Sequence, residues 1–273
     1  MGRETRVLRF RDGEMALDHA VVMGIVNVTP DSFYDGGMFL DAGLAVAYAM
    51  RLADEGAAIL DVGGESTRPG ADPVPADEEW RRVGPVLKAL RPKTDARISI
   101  DTNKPEIAAK ALELGVDLVN DVTGLRHPEM LALVARERPA AVVMHMKGEP
   151  KTMQRDPTYG DVVAEVLAFL EERTKVAVAA GVDPRSLVVD PGLGFGKMPE
   201  HNSEILRRLP EFRRLGYPVL IGASRKRFLG REPGQRLQGS VATALLAVDG
   251  GADIVRVHDV AETVAALRRG RAQ

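Results

Sequence analysis

The sequence has no cysteine and only one tryptophan, and aromatics make up just 4% of its 273 residues. Without thiols there is no disulfide framework, no thiolate nucleophile and no cysteine-ligated metal. The five histidines are scattered with no HExxH-like pair, so a zinc site is not expected. No run approaches the roughly 18 apolar residues of a membrane span. The opening MGRETRVLRFRDGEMALD carries charges where a signal peptide needs an apolar core. The expected location is the cytoplasm, with no membrane partner. An excess of one charge is missing too: 37 basic and 39 acidic residues leave a formal charge of −2, and no basic stripe interleaved with aromatics marks a nucleic-acid surface.

What the chain does have is short, continuous runs of Val, Ile and Leu, as strands buried on both faces require. Eight occur: 21–26, 58–62, 97–100, 118–119, 140–144, 187–189, 218–221 and 254–257. Helical patterns alternate with them at 41–55, 77–90, 105–114, 128–136, 159–180, 202–215, 240–248 and 261–268. A phrase recurs where helix gives way to strand: EGAAIL, LGVDLV, GGADIV and, close to them, LGYPVL. Glycine stops each helix in a left-handed cap and the strand follows at once. Eight such units predict a (β/α)8 TIM barrel, with residues 1–273 as one domain. The leading RVLRFRDGEMALD, two runs around Asp12 and Gly13, reads as a short N-terminal β-hairpin outside the repeat.

In such barrels chemistry sits where strands end and βα loops begin. Those ends supply Asn27; Glu65, Thr67 and Arg68; Asp101; Asn120 and Asp121; His145; Asp190; Ser224, Arg225 and Lys226; and Arg256 and His258. Each alone has an ordinary reading, as helix cap, turn former, solvated charge or structural histidine. Polar groups at the same end of all eight units exceed what capping needs. Asp101, Asn120 and Asp190 could pair with a flat heterocycle bearing adjacent N–H donors, since a carboxylate accepts two hydrogen bonds side by side. Asn27, Thr67, Arg68, Arg256 and His258 come from the first, second and eighth strands, neighbours on closing the barrel. They would make an anion site for phosphate, with the Asn27 carbonyl oxygen able to ligate Mg²⁺. GLGFGK is not a nucleotide loop: Pro191, Lys197 and Met198 stand where the Walker and Rossmann patterns need other residues. Its glycines instead let backbone pass close to a ligand or a neighbouring strand.

Taken in order, MGIVNVTPDSFYDGG, DVGGESTRPGA, ISIDT, NDVTG, MHMKGEP, DPGLGFGK, GASRK and VRVHDV resemble the dihydropteroate synthases across nearly the whole chain. The resemblance implies an enzyme of folate biosynthesis that joins a dihydropterin pyrophosphate to p-aminobenzoate, releases pyrophosphate, requires Mg²⁺, works as a homodimer and is a sulfonamide target. It implies that Asp101, Asn120, Asp190 and Lys226 hold the pterin. Asn27, Thr67, Arg68, Arg256 and His258 would hold the pyrophosphate, with Asn27 on the metal. Phe33, Thr67, Pro69, Phe195 and Lys226 would frame the aminobenzoate. Asn27, Arg68, Lys226, Arg256 and His258 would be the catalytic set, acting by leaving-group stabilisation with no obvious general base. Phe33 and Tyr34 between a turn and two glycines then read as aromatics that close over the aminobenzoate, implying ordered binding. Arg227 stands where many members carry Ser. A methyltetrahydrofolate-dependent corrinoid methyltransferase would not need NVTPDSF or GGESTRPG, and a non-catalytic pterin-binding paralogue should have lost anion ligands that are all present here.

Overall fold

A strand buried on both faces needs no polar alternation, and the eight apolar runs all form strands. The computed structural model describes residues 6–29, 42–66, 71–149, 151–155, 157–222, 224–226 and 233–271. Phe33, Tyr34, Thr67, Arg68, Pro69 and Arg227, and with them the expected loop closure, lie outside the described residues.

An antiparallel hairpin comes first, β1 (Arg6–Phe10) with β2 (Gly13–Leu17). The parallel strands are β3 (Val21–Asn27), β4 (Ile59–Gly63), β5 (Arg97–Asp101), β6 (Leu118–Asp121), β7 (Ala140–Met144), β8 (Leu187–Asp190), β9 (Leu220–Ile221) and β10 (Ile254–Val257). Between and after them run α1 (Ala42–Asp54), α2 (Ala76–Leu90), α3 (Pro105–Glu113), α4 (Pro128–Glu137), α5 (Val162–Ala179), α6 (Pro199–Arg207), α7 (Pro233–Asp249) and α8 (Val260–Arg271). The strands pair in the order β8-β7-β6-β5-β4-β3-β10-β9. The seam closes where the Val189 N–H donates to the Pro218 carbonyl at 2.9 Å and Val189 bridges Val219 in parallel. This is the (β/α)8 barrel with its leading hairpin.

Local chemistry explains the boundaries. Helices α3, α4 and α6 each begin on proline, whose missing N–H costs nothing in the first turn. The glycines of the recurring phrase are left-handed, with φ of +83° at Gly115 and +99° at Gly251. One expectation needs correction. The helix read over 202–215 is two pieces, α6 ending at Arg207 and a 3₁₀ segment at Leu209–Leu215, because Pro210 cannot donate to the helical ladder.

Side chains alternate along a strand, so residues two apart share a face. Met23, Ile59, Leu118, Val188 and Ile254 point into the barrel and pack with Leu8, Phe10 and Leu17 of the hairpin, which plugs that end. Two positions further along, the same inward rows carry Asp61 (β4), Asn120 (β6), Asp190 (β8) and Arg256 (β10). Strand β5 adds Ser99, in register with Asp61, and Asp101, in register with Asn120. An apolar floor thus supports a polar layer, and that layer is the base of the site.

Candidate active site

Asp61 is wholly buried and accepts three hydrogen bonds. Ser99 Oγ donates to its Oδ1 at 2.5 Å, and Asn120 Nδ2 and Arg256 Nε donate to Oδ2 at 3.0 and 2.6 Å. Arg256 Nη2 donates in turn to Asp101 Oδ2 at 2.6 Å, so one guanidinium bridges two carboxylates. Burial works against the Arg256 charge, but Asp61 and Asp101 outweigh it and hold the group firmly protonated. Among the described residues Arg256 Nη1 makes no hydrogen bond, which leaves one edge of the fork for a ligand.

Asp101 Oδ1 is buried and has no hydrogen-bond partner among the described residues. A buried acceptor lacking a donor is rare enough to require an explanation, and a ligand N–H supplies one. Burial pushes the Asp101 carboxyl up to about 7, against the pull of Arg256 and with help from the charge of Asp61. Asp190, also buried, accepts the Gly192 N–H at 2.7 Å. Burial raises it to about 6, with the Gly192 N–H, Lys197, Lys226 and Arg256 pulling the other way. Two acids that resist ionisation thus stand at strand ends within reach of the Arg256 charge, the condition under which a donor-rich ligand gains most from binding.

The rim is built from loops. Lys226 Nζ lies 4.4 Å from the centroid of the Phe195 ring, a cation over an aromatic face. Asn27 and His258 meet across the adjacent strands β3 and β10, Nδ2 to Nε2 at 3.4 Å. Ser224 Oγ accepts the His258 backbone N–H at 3.0 Å and lies 3.0 Å from its Nδ1. The tautomer that fits both contacts carries its proton on Nδ1 and accepts at Nε2. With its amide nitrogen towards His258, Asn27 has its carbonyl oxygen for a cation. That hard donor suits Mg²⁺, and among the described residues no group of three His, Asp or Glu forms a cage. A metal here would need most of its oxygens from substrate and water.

Other strand-end residues have the ordinary reading. Asp121 accepts the N–H groups of Thr123 and Leu125 at 2.8 and 3.0 Å and shapes a turn. Glu65 pairs with Lys104, and Arg225 Nε with Asp259 at 3.1 Å. His145 directly follows β7 and is held by Lys197 of the loop after β8. Lys197, 2% exposed, donates to His145 Nδ1 at 2.8 Å and to the carbonyls of Gly192 and Phe195 at 2.9 and 3.0 Å. Burial, and then the charge of Lys197, push His145 down to about 2, so its Nδ1 is an acceptor. Sequence reasoning missed both Asp61 and Lys197. The signal for Asp61 was a charge in the middle of the apolar AAILDVG.

Two glycines of GLGFGK, Gly192 and Gly196, serve close packing against the backbone that follows β7. A Cβ on Gly192 would fall 2.0 Å from the His145 carbonyl oxygen, and one on Gly196 2.2 Å from that of Lys147. Gly192→Ala should therefore cost about 3 kcal/mol or more. Gly216→Ala, at φ +81° but with nothing within 4 Å, should cost only about 1 kcal/mol. Urea unfolding of the pair checks this: equal losses would mean that φ alone requires the glycines.

Comparison with known proteins agrees with this geometry. Residues 23–258 match the family described as pterin binding enzyme. A dihydropteroate synthase of Synechocystis sp. is 46% identical over 88% of this chain and 85% of its own length. A probable bifunctional folylpolyglutamate synthase/dihydropteroate synthase of Haloferax volcanii is 51% identical over 92% of this chain, which spans only 30% of that longer protein. The solved structure of Xanthomonas albilineans dihydropteroate synthase with 4-aminobenzoic acid superposes with a TM-score of 0.93 at 49% identity, covering 98% of each chain. With a family match over residues 23–258 and a barrel that superposes on a solved dihydropteroate synthase over 98% of its length, the chain belongs to the dihydropteroate synthases of the pterin binding enzyme family.

Proposed function

We propose that this single-domain enzyme condenses 6-hydroxymethyl-7,8-dihydropterin pyrophosphate with p-aminobenzoate, giving 7,8-dihydropteroate and pyrophosphate. The observation that carries the reading is the buried Asp101 Oδ1, which meets no donor among the described residues, beside Asn120 and within the same polar layer as Asp190. A pterin edge offers adjacent N–H donors, which such acceptors need. Asp190 takes the amino and ring N–H groups, Asp101 and Asn120 the opposite edge, and Lys226 closes the pocket next to Phe195. Arg256 and His258, with Arg68 and Thr67, hold the pyrophosphate. Phe33, Thr67, Pro69, Phe195 and Lys226 frame the aminobenzoate, which is also where sulfonamides would compete.

The chemistry is departure of pyrophosphate from a methylene carbon that the electron-rich pterin can support as a cation, followed by attack of the aromatic amine, whose surplus proton passes to water. The residues act by neutralising the leaving group and excluding water, not by removing a proton. Mg²⁺, with Asn27 as its protein ligand, supplies further charge neutralisation when bound. Cytoplasmic location and a homodimer complete the reading: no helix among the described residues is long and apolar enough to cross a membrane, and Leu246 on α7 is 62% exposed, the kind of side chain a second copy would cover.

Pyrophosphate release measured with the purified protein tests the whole reading. Release should require both p-aminobenzoate and the pterin pyrophosphate, and stop on chelation of Mg²⁺. Release that ignores p-aminobenzoate would mark a hydrolase instead.

A further inference from the structure

The mechanism above assigns Asp61 no substrate, yet this carboxylate sits at the centre of the polar layer with both oxygens engaged. We propose that Asp61 is the positioning residue of the pterin site, fixing the Arg256 guanidinium and the Asn120 amide in their ligand-facing orientation and acting on Asp101 through its charge. The proposal rests on the pterin reading.

Orientation follows from donor and acceptor identity. Asn120 gives Nδ2 to Asp61 at 3.0 Å, so a flip of its amide would press a carbonyl oxygen against a buried carboxylate. Its carbonyl oxygen is therefore held away from Asp61. Arg256 is gripped at Nε by Asp61 and at Nη2 by Asp101, which fixes the plane of the fork and the direction of Nη1. Ser99 holds the second Asp61 oxygen at 2.5 Å, so the carboxylate cannot swing. The whole arrangement crosses four strands, β4, β5, β6 and β10, and Asp61 on β4 hydrogen-bonds a side chain from each of the other three.

Charge adds a second effect. The groups facing Asp101 are Arg256 from β10, Asp61 from β4, Glu79 from α2 and Asp121 from β6, three of them acids. Two carboxylates share one guanidinium. Removing the Asp61 charge takes a like charge from beside Asp101 and leaves Arg256 to it alone, so the Asp101 carboxyl must ionise at lower pH. In the wild type, with that carboxyl at about 7, pterin affinity should fall as the pH drops through neutrality, because a protonated Asp101 loses acceptor capacity. Without the Asp61 charge the fall should come later.

The test is calorimetric binding of 6-hydroxymethyl-7,8-dihydropterin to the wild type, Asp61→Asn and Ser99→Ala between about pH 5.5 and 8.5, with urea unfolding in parallel. Asp61→Asn should bind about 10- to 100-fold more weakly at high pH, the loss seen when outer partners of metal ligands are removed. Its acid limb should lie lower by about one unit. Ser99→Ala, which loosens Asp61 but keeps its charge, should weaken binding severalfold without moving that limb. A folded Asp61→Asn protein with wild-type affinity or a wild-type acid limb would overturn the proposal. If Asp61→Asn does not fold, Ser99→Ala decides: unchanged affinity overturns it. A wild type that binds no pterin would remove the pterin reading, and this proposal with it.

Discussion

An Asp190→Asn protein should bind pterin at least about 100-fold more weakly than the wild type and yet melt at a higher temperature near neutral pH. The loss arises because an amide offers its own N–H to one of the two ligand donors that the carboxylate would accept, leaving a mismatched buried pair. The gain in stability follows from the sign of the linkage. The folded Asp190 carboxyl is raised from 3.8 to about 6, chiefly by burial. A group raised in this way favours the fold in full below its unfolded value and loses that contribution as pH climbs through the folded value. Above about pH 6 the empty site therefore holds an anion that is better solvated when unfolded, at a cost of order 2 to 3 kcal/mol. Asparagine removes the cost, can still accept the Gly192 N–H, and should raise the melting temperature by several degrees. The advantage should vanish as pH falls towards 4. Thermal melts of both proteins from about pH 4 to 8 check it, and a variant less stable throughout would mean that Asp190 is structural.

Arg256 variants should be as severe in the opposite direction. Arg256→Met leaves Asp61 and Asp101 buried without their shared cation, a loss of about 3 to 5 kcal/mol. Arg256→Lys should fold better, but a point charge cannot grip two carboxylates and still present a third nitrogen. An arginine that met only phosphate would, on conversion to lysine, lose pyrophosphate and spare the bare pterin. Here the same guanidinium positions Asp101, so both ligands should weaken together, each by about 10-fold or more. Calorimetry with each ligand, at a temperature where unfolding shows the variant intact, distinguishes the outcomes. Selective loss of pyrophosphate would show that Asp101 keeps its place without Arg256.

The barrel was legible because its two periodicities are separate in the chain: continuous apolar runs for strands, glycine-stopped amphipathic stretches for helices. The error at 202–215 came from weighing the apolar period above Pro210, where a missing donor ends the α-helix whatever the pattern. Asn27, Asp101 and Asp190 end strands, Asn120 and Arg256 stand one residue short of an end, and His258 and Lys226 lie in the loops beyond; polar groups there stand out in sequence because each sits at the edge of an apolar run. Asp61 escaped because it lies mid-strand, and only the register of β4 against β5 and its reach to β6 and β10 show that it has three donors. Lys197 escaped because its partners, His145 and two carbonyls of its own loop, come together only when left-handed glycines fold that loop onto the end of β7.

The hairpin that plugs the barrel also imposes an order on assembly. Arg6, at the start of β1, reaches Asp253 at 2.8 Å across a separation of 247 residues, and Asp253 also accepts the Val219 N–H at 2.9 Å ahead of β9. Leu8, Phe10 and Leu17 precede every barrel strand in the chain, yet their cluster includes Leu220 and Ile254 from the last two strands. Much of the stabilising contact is thus long-range, the situation in which chain closure precedes its reward and folding is slow. Until β10 pairs with β3, a nascent chain carries two open sheet edges and an unburied stopper together. That intermediate is the chain's point of greatest exposure to aggregation and to chaperone capture, and it persists until the eighth strand arrives.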